Sequence, residues 1–462
     1  MKLPSKSPEM FNEEAAFKKL QSAGQEHLLS HWKQLNTQQK TNLLLQIHLL
    51  DLSLLKNLQA EVFAKKKSQP PSLAPFQSFV TAENEKDHLL GRLLIQEGKT
   101  ALVVLAGGQG SRLRFEGPKG CYPISNIKKK SLYQLLAEKV KAASKLAKRP
   151  LDLALMSSPL NTRETQTFFV EHAFFGLDPQ QVTFFSQQMW PFLTFDGKLF
   201  LEERDQIAYG PNGNGTVFRR LKECGIIDKW KKKGVELVQV IPIDNPLAFP
   251  FDEALFSFHT KTKNSVSMCA ALRRDAQENV GVLALHNGKA EVVEYLDLSP
   301  EEKEARNQDG SLKFGIANLG IFCFSLEFME KVSAQPLPVH QAKKAVKMLQ
   351  QDGSVKIPDQ PNAWKCEEFI FDVLPYAERV EALISPRDSC FAPLKNLKGE
   401  DSIDTVRAAL LAFDRLIFAN ITGNRAPNDA LFELAPQFYY PTKELSEKWR
   451  GKAFPNKDYI DE

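Results

Sequence analysis

The stretch Thr100-Ala101-Leu102-Val103-Val104-Leu105-Ala106-Gly107-Gly108-Gln109-Gly110-Ser111-Arg112-Leu113 decides the fold. Its first half is a continuous apolar run closed by glycines, the pattern of a strand buried on both faces of a parallel sheet. Its second half sets three glycines directly after that strand, where backbone N–H groups crowd together with no side chains between them. Such a turn suits phosphate oxygens, although glycines after a strand also make plain tight turns. Two familiar phosphate motifs fail on spacing. Leu113 stands where the dinucleotide fingerprint needs its third glycine, and no G-x-x-x-x-G-K-[ST] run occurs here. What remains is a glycine loop with two cations, Arg112 and Lys119, the second within Pro118-Lys119-Gly120. A guanidinium forks across two phosphate oxygens and an ammonium acts as a point charge, so the pair fits a polyphosphate.

Downstream, strand-like segments at 151–156, 182–185 and 237–241 alternate with helical patterns at 131–147, 161–171 and 217–224. Asn161 opens the second helix with Glu164 three residues on, in the manner of a capping box. This alternation predicts an α/β fold with a doubly wound, Rossmann-like parallel sheet. Apolar segments at 282–285 and 291–295 flank Asn287-Gly288, a strong two-residue hairpin signal, so antiparallel strands are inserted and the sheet is mixed. Upstream, residues 13–97 follow a helical period and predict an all-helical cap, interrupted by a loop at 68–72. Beyond Pro375, a strand at 380–384 and a helix at 402–419 predict a small C-terminal α/β unit. The expected organisation is a helical region over 1–99, a catalytic domain over 100–378 and a C-terminal unit over 379–462.

Composition sets limits around this core. The chain has 462 residues, 43% apolar and 25% charged, which suits two or three ordinary globular domains. Its net charge of +4 gives no reason to expect a nucleic-acid partner. The basic runs at 65–67, 128–130 and 231–233 are far apart, lack interleaved aromatics and read as solvated faces. Six cysteines form no C-x-x-C pair and sit at no zinc spacing from a histidine. Cys269 and Cys323 lie in strand-like segments and fit buried thiols in a reducing compartment. No apolar leader follows Met1 and no run approaches the ~20 residues of a membrane span, so a cytoplasmic protein without membrane contact is expected.

The glycine run with Pro118-Lys119-Gly120 resembles the signature of the UDP-sugar pyrophosphorylase family, and within it the eukaryotic-type UDP-N-acetylhexosamine pyrophosphorylases. Further blocks resemble that family in order: Phe184-Phe185-Ser186-Gln187-Gln188, Pro211-Asn212-Gly213-Asn214-Gly215, Ile243-Asp244-Asn245, Gly281-Val282, Val293-Glu294-Tyr295, Glu368-Phe369-Ile370-Phe371-Asp372 and Pro393-Leu394-Lys395-Asn396. The resemblance implies a nucleotidyltransferase domain that joins UTP to a sugar 1-phosphate and releases pyrophosphate with Mg²⁺. It implies a monomer or weak homo-oligomer.

The resemblance also implies roles. Leu105, Gly107, Gly108 and the loop backbone hold the nucleotide, Arg112 and Lys119 face the departing phosphates, and Gln187 with Gly213 and Asn214 reads the uracil edge. Asp244 takes the metal, Lys395 binds the sugar phosphate and the α-phosphate, and Gly281, Glu294 and Asn318 contact the sugar. As residues alone, Arg112 also fits a surface ion pair, Asp244 a helix cap and Asn212-Gly213-Asn214-Gly215 a turn. Two departures stand out. Arg114 occupies a position that is usually glycine in the family, and Phe314-Gly315-Ile316-Ala317-Asn318-Leu319 alters an N-A-G-N-I run while keeping Asn318. That leaves open a pocket for glucose or galactose 1-phosphate, and a sensor that binds UDP-sugars without turnover.

Overall fold

The computed structural model describes residues 12–64, 73–82, 88–455 and 457–461. The basic run at 65–67 and the loop at 68–72 lie outside them. Contacts divide the chain into two units. The first takes its described residues from Met1–Pro70, Gln188–Asn214 and Leu337–Phe369, and the second from Pro71–Gln187, Gly215–Pro336 and Ile370–Glu462.

The second unit is built on a large mixed sheet. Its main path has the strands Phe79–Thr81 (β1), Thr100–Leu105 (β2), Leu153–Ser157 (β3), Val182–Ser186 (β4), Leu237–Pro242 (β5), Val266–Leu272 (β6), Ile316–Ser325 (β7) and Val380–Ile384 (β8). Across the sheet they run β1-β8-β6-β7-β5-β2-β3-β4. Only β7 is antiparallel to its neighbours on this path; every other pairing along it is parallel. Ala101 to Val104 of β2 are fully buried, as a strand with both faces covered requires. The helix Leu132–Ala147 covers part of the sheet. Ser131 Oγ accepts from Gln134 N at its start, and Leu132, Leu136, Val140, Ala143 and Ala147 fall on its buried stripe. The hairpin forms as expected, with Val282–His286 and Lys289–Val293 joined through Asn287 (φ 50°) and Gly288 (φ 76°).

The first unit packs the helices Glu13–Ser22, Thr37–Leu49 and Leu52–Phe63 around Leu20, Leu43, Ile47 and Leu58. Its core also takes Trp190, Leu193 and Leu199 from the chain beyond β4.

Four expectations need correction. Residues 13–97 are not wholly helical, because Leu73–Pro75 and Phe79–Thr81 are strands that join the large sheet. Three residues are too few to display a strand period. Val380–Ile384 does not begin a separate C-terminal sheet; it lies inside the main one, between β1 and β6. Parallel pairing is set by distant partners, which local sequence does not name. Asn161 sits at the helix start but makes no side-chain cap. Lys130 is not on a solvated face: it is buried, with Nζ 2.8 Å from Glu138 Oε2 and 3.4 Å from Glu433 Oε1.

Cys269 and Cys323 are buried as expected, all six thiols are free, and burial pushes Cys323 well above its ordinary range. Among the described residues no helix is long and apolar enough to cross a membrane.

His259, on the helix Glu253–Thr262, is buried with Nδ1 3.0 Å from Ser267 Oγ. Burial pushes it down from 6.5 to about 4. A depressed histidine contributes stability that is present above pH 6.5 and lost as pH falls towards 4. That contribution is about 3 kcal/mol at full extent. Asp414, pushed up to about 7 by burial, acts oppositely over an overlapping range. We therefore expect urea titrations of wild type and His259→Gln to differ in slope between pH 6.5 and 4, with the variant losing less stability on acidification.

Candidate active site

The glycine loop closes on itself. Ala106 N donates to Met156 O at 2.7 Å, continuing the β2–β3 ladder, and the chain then leaves the sheet. Gly108 O accepts from Lys119 N at 3.1 Å, and Gly110 N donates to Gly117 O at 3.0 Å. A side chain at Gly107 would run into the Gln187 amide, and one at Gly110 into Phe115. Gln187 is itself held by its backbone N–H, which donates to Ser157 O at the end of β3 at 3.0 Å. The loop thus has an amide lid on one side and a lysine on the other.

Asn161 is the residue that sequence reasoning missed. It is buried, its Oδ1 accepts from Ser158 N at 2.9 Å, and its Nδ2 donates to Gly108 O at 3.3 Å. An asparagine before a helix reads as a cap, so only the folded proximity of the loop reveals its other use.

Arg112 lies in the short turn Ser111–Leu113, exposed and without an ion pair among the described residues. Arg114 follows in the left-handed region at φ 52°, ψ 36°. A side chain there costs about 1 kcal/mol relative to glycine. Arg114→Gly should therefore raise the denaturation midpoint by the equivalent of about 1 kcal/mol, measured in urea. An unchanged or lower midpoint would show that the arginine side chain offsets the strain.

Asp244 stands two residues beyond the carboxyl end of β5, where open α/β sheets bind ligands. Its Oδ2 is 3.1 Å from Lys119 Nζ, and both side chains are partly buried. Its backbone O accepts from Leu394 N at 2.7 Å, which brings the segment bearing Lys395 to the same strand end. Lys395 Nζ is 3.1 Å from Asp401 Oδ2. Lys139 Nζ donates to Pro246 O of the same loop at 2.9 Å, and burial pushes this lysine down to about 8. Among the described residues no three His, Cys, Asp or Glu side chains converge as a metal cage. A single carboxylate beside the glycine loop fits a divalent ion of the Mg²⁺ type, which takes one or two protein ligands and fills its shell with substrate oxygens and water.

Gly281, Glu294 and Asn318 form a second group. Asn318 N donates to Gly281 O at 2.8 Å, and a methyl added at Gly281 would meet Glu294 Oε1 at 3.4 Å. Asn318 Oδ1 accepts from Gly320 N at 3.0 Å within a bulge of β7. Gly320 has φ 72°, and a side chain there would meet the Pro242 ring at 3.8 Å, so this group adjoins the end of β5. Ala317 and Asn318 are successive strand residues and face opposite sides. Ala317 is fully buried in the core, so the glycine-to-alanine departure falls away from Asn318. At Gly315 an added methyl would meet Leu312 O at 2.7 Å, so the local turn is shaped for glycine.

Gly213 and Asn214 belong to the first unit. Gly213 has φ 87° and lies against the Glu368 backbone, where no side chain fits, and Glu368 N donates to Asn212 O at 3.0 Å. The second unit therefore gathers Leu105, Gly107, Gly108, Lys119, Gln187, Asp244 and the Lys395 segment, with Gly281, Glu294 and Asn318 beside them, while Gly213 and Asn214 are placed by other contacts.

The family model described as UTP–glucose-1-phosphate uridylyltransferase matches residues 51–432. The chain belongs to this uridylyltransferase family. It is 34% identical over 428 residues to the human UDP-N-acetylhexosamine pyrophosphorylase-like protein 1, spanning 87% of this chain and 84% of that protein. It is 30% identical over 462 residues to the UDP-N-acetylglucosamine pyrophosphorylase of Saccharomyces cerevisiae, spanning 94% and 96% respectively. The fold superposes on the uridine diphosphate N-acetylglucosamine pyrophosphorylase of Trypanosoma brucei with a TM-score of 0.81, at 24% identity, covering 100% of this chain and 99% of that one. The enzyme is thus an α/β uridylyltransferase-family protein with a large mixed sheet.

Proposed function

We propose that this uridylyltransferase joins UTP to N-acetylglucosamine 1-phosphate, forming the UDP-sugar and pyrophosphate. The observation that carries the reading is the meeting at the end of β5, where Asp244 pairs with Lys119 of the glycine loop and its carbonyl holds the Lys395 segment. In this reading the second unit, built on the large mixed sheet, forms a Rossmann-like nucleotidyltransferase domain, working in a cytoplasmic monomer or weak homo-oligomer.

The nucleophile is a sugar phosphate oxygen that is already anionic, so no side chain need remove a proton. Its bond to the α-phosphorus forms as the bond from that phosphorus to the β-phosphate oxygen breaks. The protein contributes position and countercharge. Leu105, Gly107 and Gly108 seat the nucleotide, and Gln187 reads uracil through its amide donor and acceptor. Arg112 and Lys119 meet the β- and γ-phosphates that leave. Lys119 exchanges Asp244 for phosphate oxygens as UTP enters. Lys395 lies between the sugar phosphate and the α-phosphate, and Gly281, Glu294 and Asn318 orient the sugar. Asp244 would hold Mg²⁺, which when bound supplies further neutralisation of the phosphates.

The alternative sugar is glucose or galactose 1-phosphate, the first of which the family model's own description names. A panel of N-acetylglucosamine, N-acetylgalactosamine, glucose and galactose 1-phosphates, read by pyrophosphate release, separates them. The highest kcat/KM is expected with N-acetylglucosamine 1-phosphate. A higher value with glucose 1-phosphate would move the assignment, and calorimetric UDP-sugar binding without turnover would favour a sensor.

A further inference from the structure

Two neighbouring side chains on the loop after β5 do different work. Asp244 faces Lys119, whereas Asn245 is only 2% exposed and spends its amide inside the protein. Its Nδ2 donates to Cys390 O at 2.8 Å, and its Oδ1 accepts from Ala392 N at 3.0 Å and from Leu247 N at 3.3 Å. With the bond from Leu394 N to Asp244 O, these contacts ladder residues 390–394 onto residues 244–245. The next residue is Lys395. Its own side chain is loosely held, 37% exposed and paired with an Asp401 carboxylate that is 29% exposed.

We propose that Asn245 is a positioning residue that fixes Lys395 relative to Asp244, so that both meet the reacting phosphates from one rigid frame. The inference rests on the roles given to Lys395 and Asp244 above. The side chain mimics a peptide group, donating to one carbonyl and accepting from the N–H two residues further on. Alanine removes all three bonds, and aspartate keeps the acceptors but loses the donor to Cys390. The loop itself stays anchored in either variant, because Lys139 still donates to Pro246 O. Displacing a reacting group by about 1 Å costs on the order of 10²-fold in rate.

The test is a double-mutant cycle measured as pyrophosphate release from UTP and N-acetylglucosamine 1-phosphate. Asn245→Ala should lower kcat at least about tenfold while KM for UTP stays within about threefold. In a Lys395→Ala background the same change should cost less than about threefold, because the residue it positions is gone. Equal losses in both backgrounds, or a lowered unfolding temperature with unchanged kcat, would overturn the inference. If Asn245→Ala does not fold, Asn245→Asp takes its place, with a smaller loss expected that also vanishes beside Lys395→Ala. Should Lys395→Ala alone turn over at the wild-type rate, the reading of the site has failed. Should Lys395→Ala be impaired while Asn245→Ala is not, only the positioning role has failed.

Discussion

Lys395→Ala is expected to lower kcat at least about tenfold and to leave the unfolding temperature within about 2 °C of wild type. The side chain is partly exposed and its partner Asp401 is too, so the ion pair itself adds little to stability. The backbone of the segment stays tied to Asp244 through Leu394 N, so removing the ammonium does not release the loop. Under the proposed function, what is lost is a countercharge between the attacking and accepting phosphates, whose weight is largest in the transition state. Steady-state kinetics at saturating UTP and sugar 1-phosphate reads this directly. A wild-type kcat would show that Lys395 does not touch the reacting groups.

Asp244→Asn should have the second large effect, lowering turnover on the order of 10²-fold and raising the Mg²⁺ concentration for half-maximal rate by about 10- to 100-fold. The amide keeps the volume of the carboxylate and the backbone carbonyl that accepts from Leu394 N, so position is conserved while charge is removed. Lys119 loses its partner in the free enzyme and becomes available to phosphate. Tighter UTP binding together with weakened Mg²⁺ affinity is therefore the expected combination. A Mg²⁺ titration that superposes on wild type would assign Asp244 to the ion pair with Lys119 alone.

Much of this arrangement could be read from the chain where burial and turn chemistry are local. Residues 101–104 form a strand covered on both faces and declare it by an unbroken apolar run. Asn287-Gly288 supplies the two positive φ values that a tight hairpin turn needs. The glycines at 107 and 110 stand where the loop leaves no room for side chains.

The parts that escaped depend on partners distant in sequence. Phe79–Thr81 is a strand only because Val380–Ile384 lies beside it, and Val380–Ile384 is inside the sheet only because Val266–Leu272 is there. Asn161 has the local signature of a cap, and its use on Gly108 depends on the loop returning over it. Arg114 marks a different limit. The departure from glycine was visible in sequence, but its left-handed backbone, and so its energetic meaning, is a property of the folded turn.

The most direct measurement is pyrophosphate release from UTP, N-acetylglucosamine 1-phosphate and Mg²⁺ by the purified protein, with equimolar UDP-sugar quantified in the same reaction. The account predicts one pyrophosphate for each UDP-N-acetylglucosamine formed, and none when the sugar 1-phosphate is omitted. No pyrophosphate with this or any other sugar 1-phosphate would contradict it.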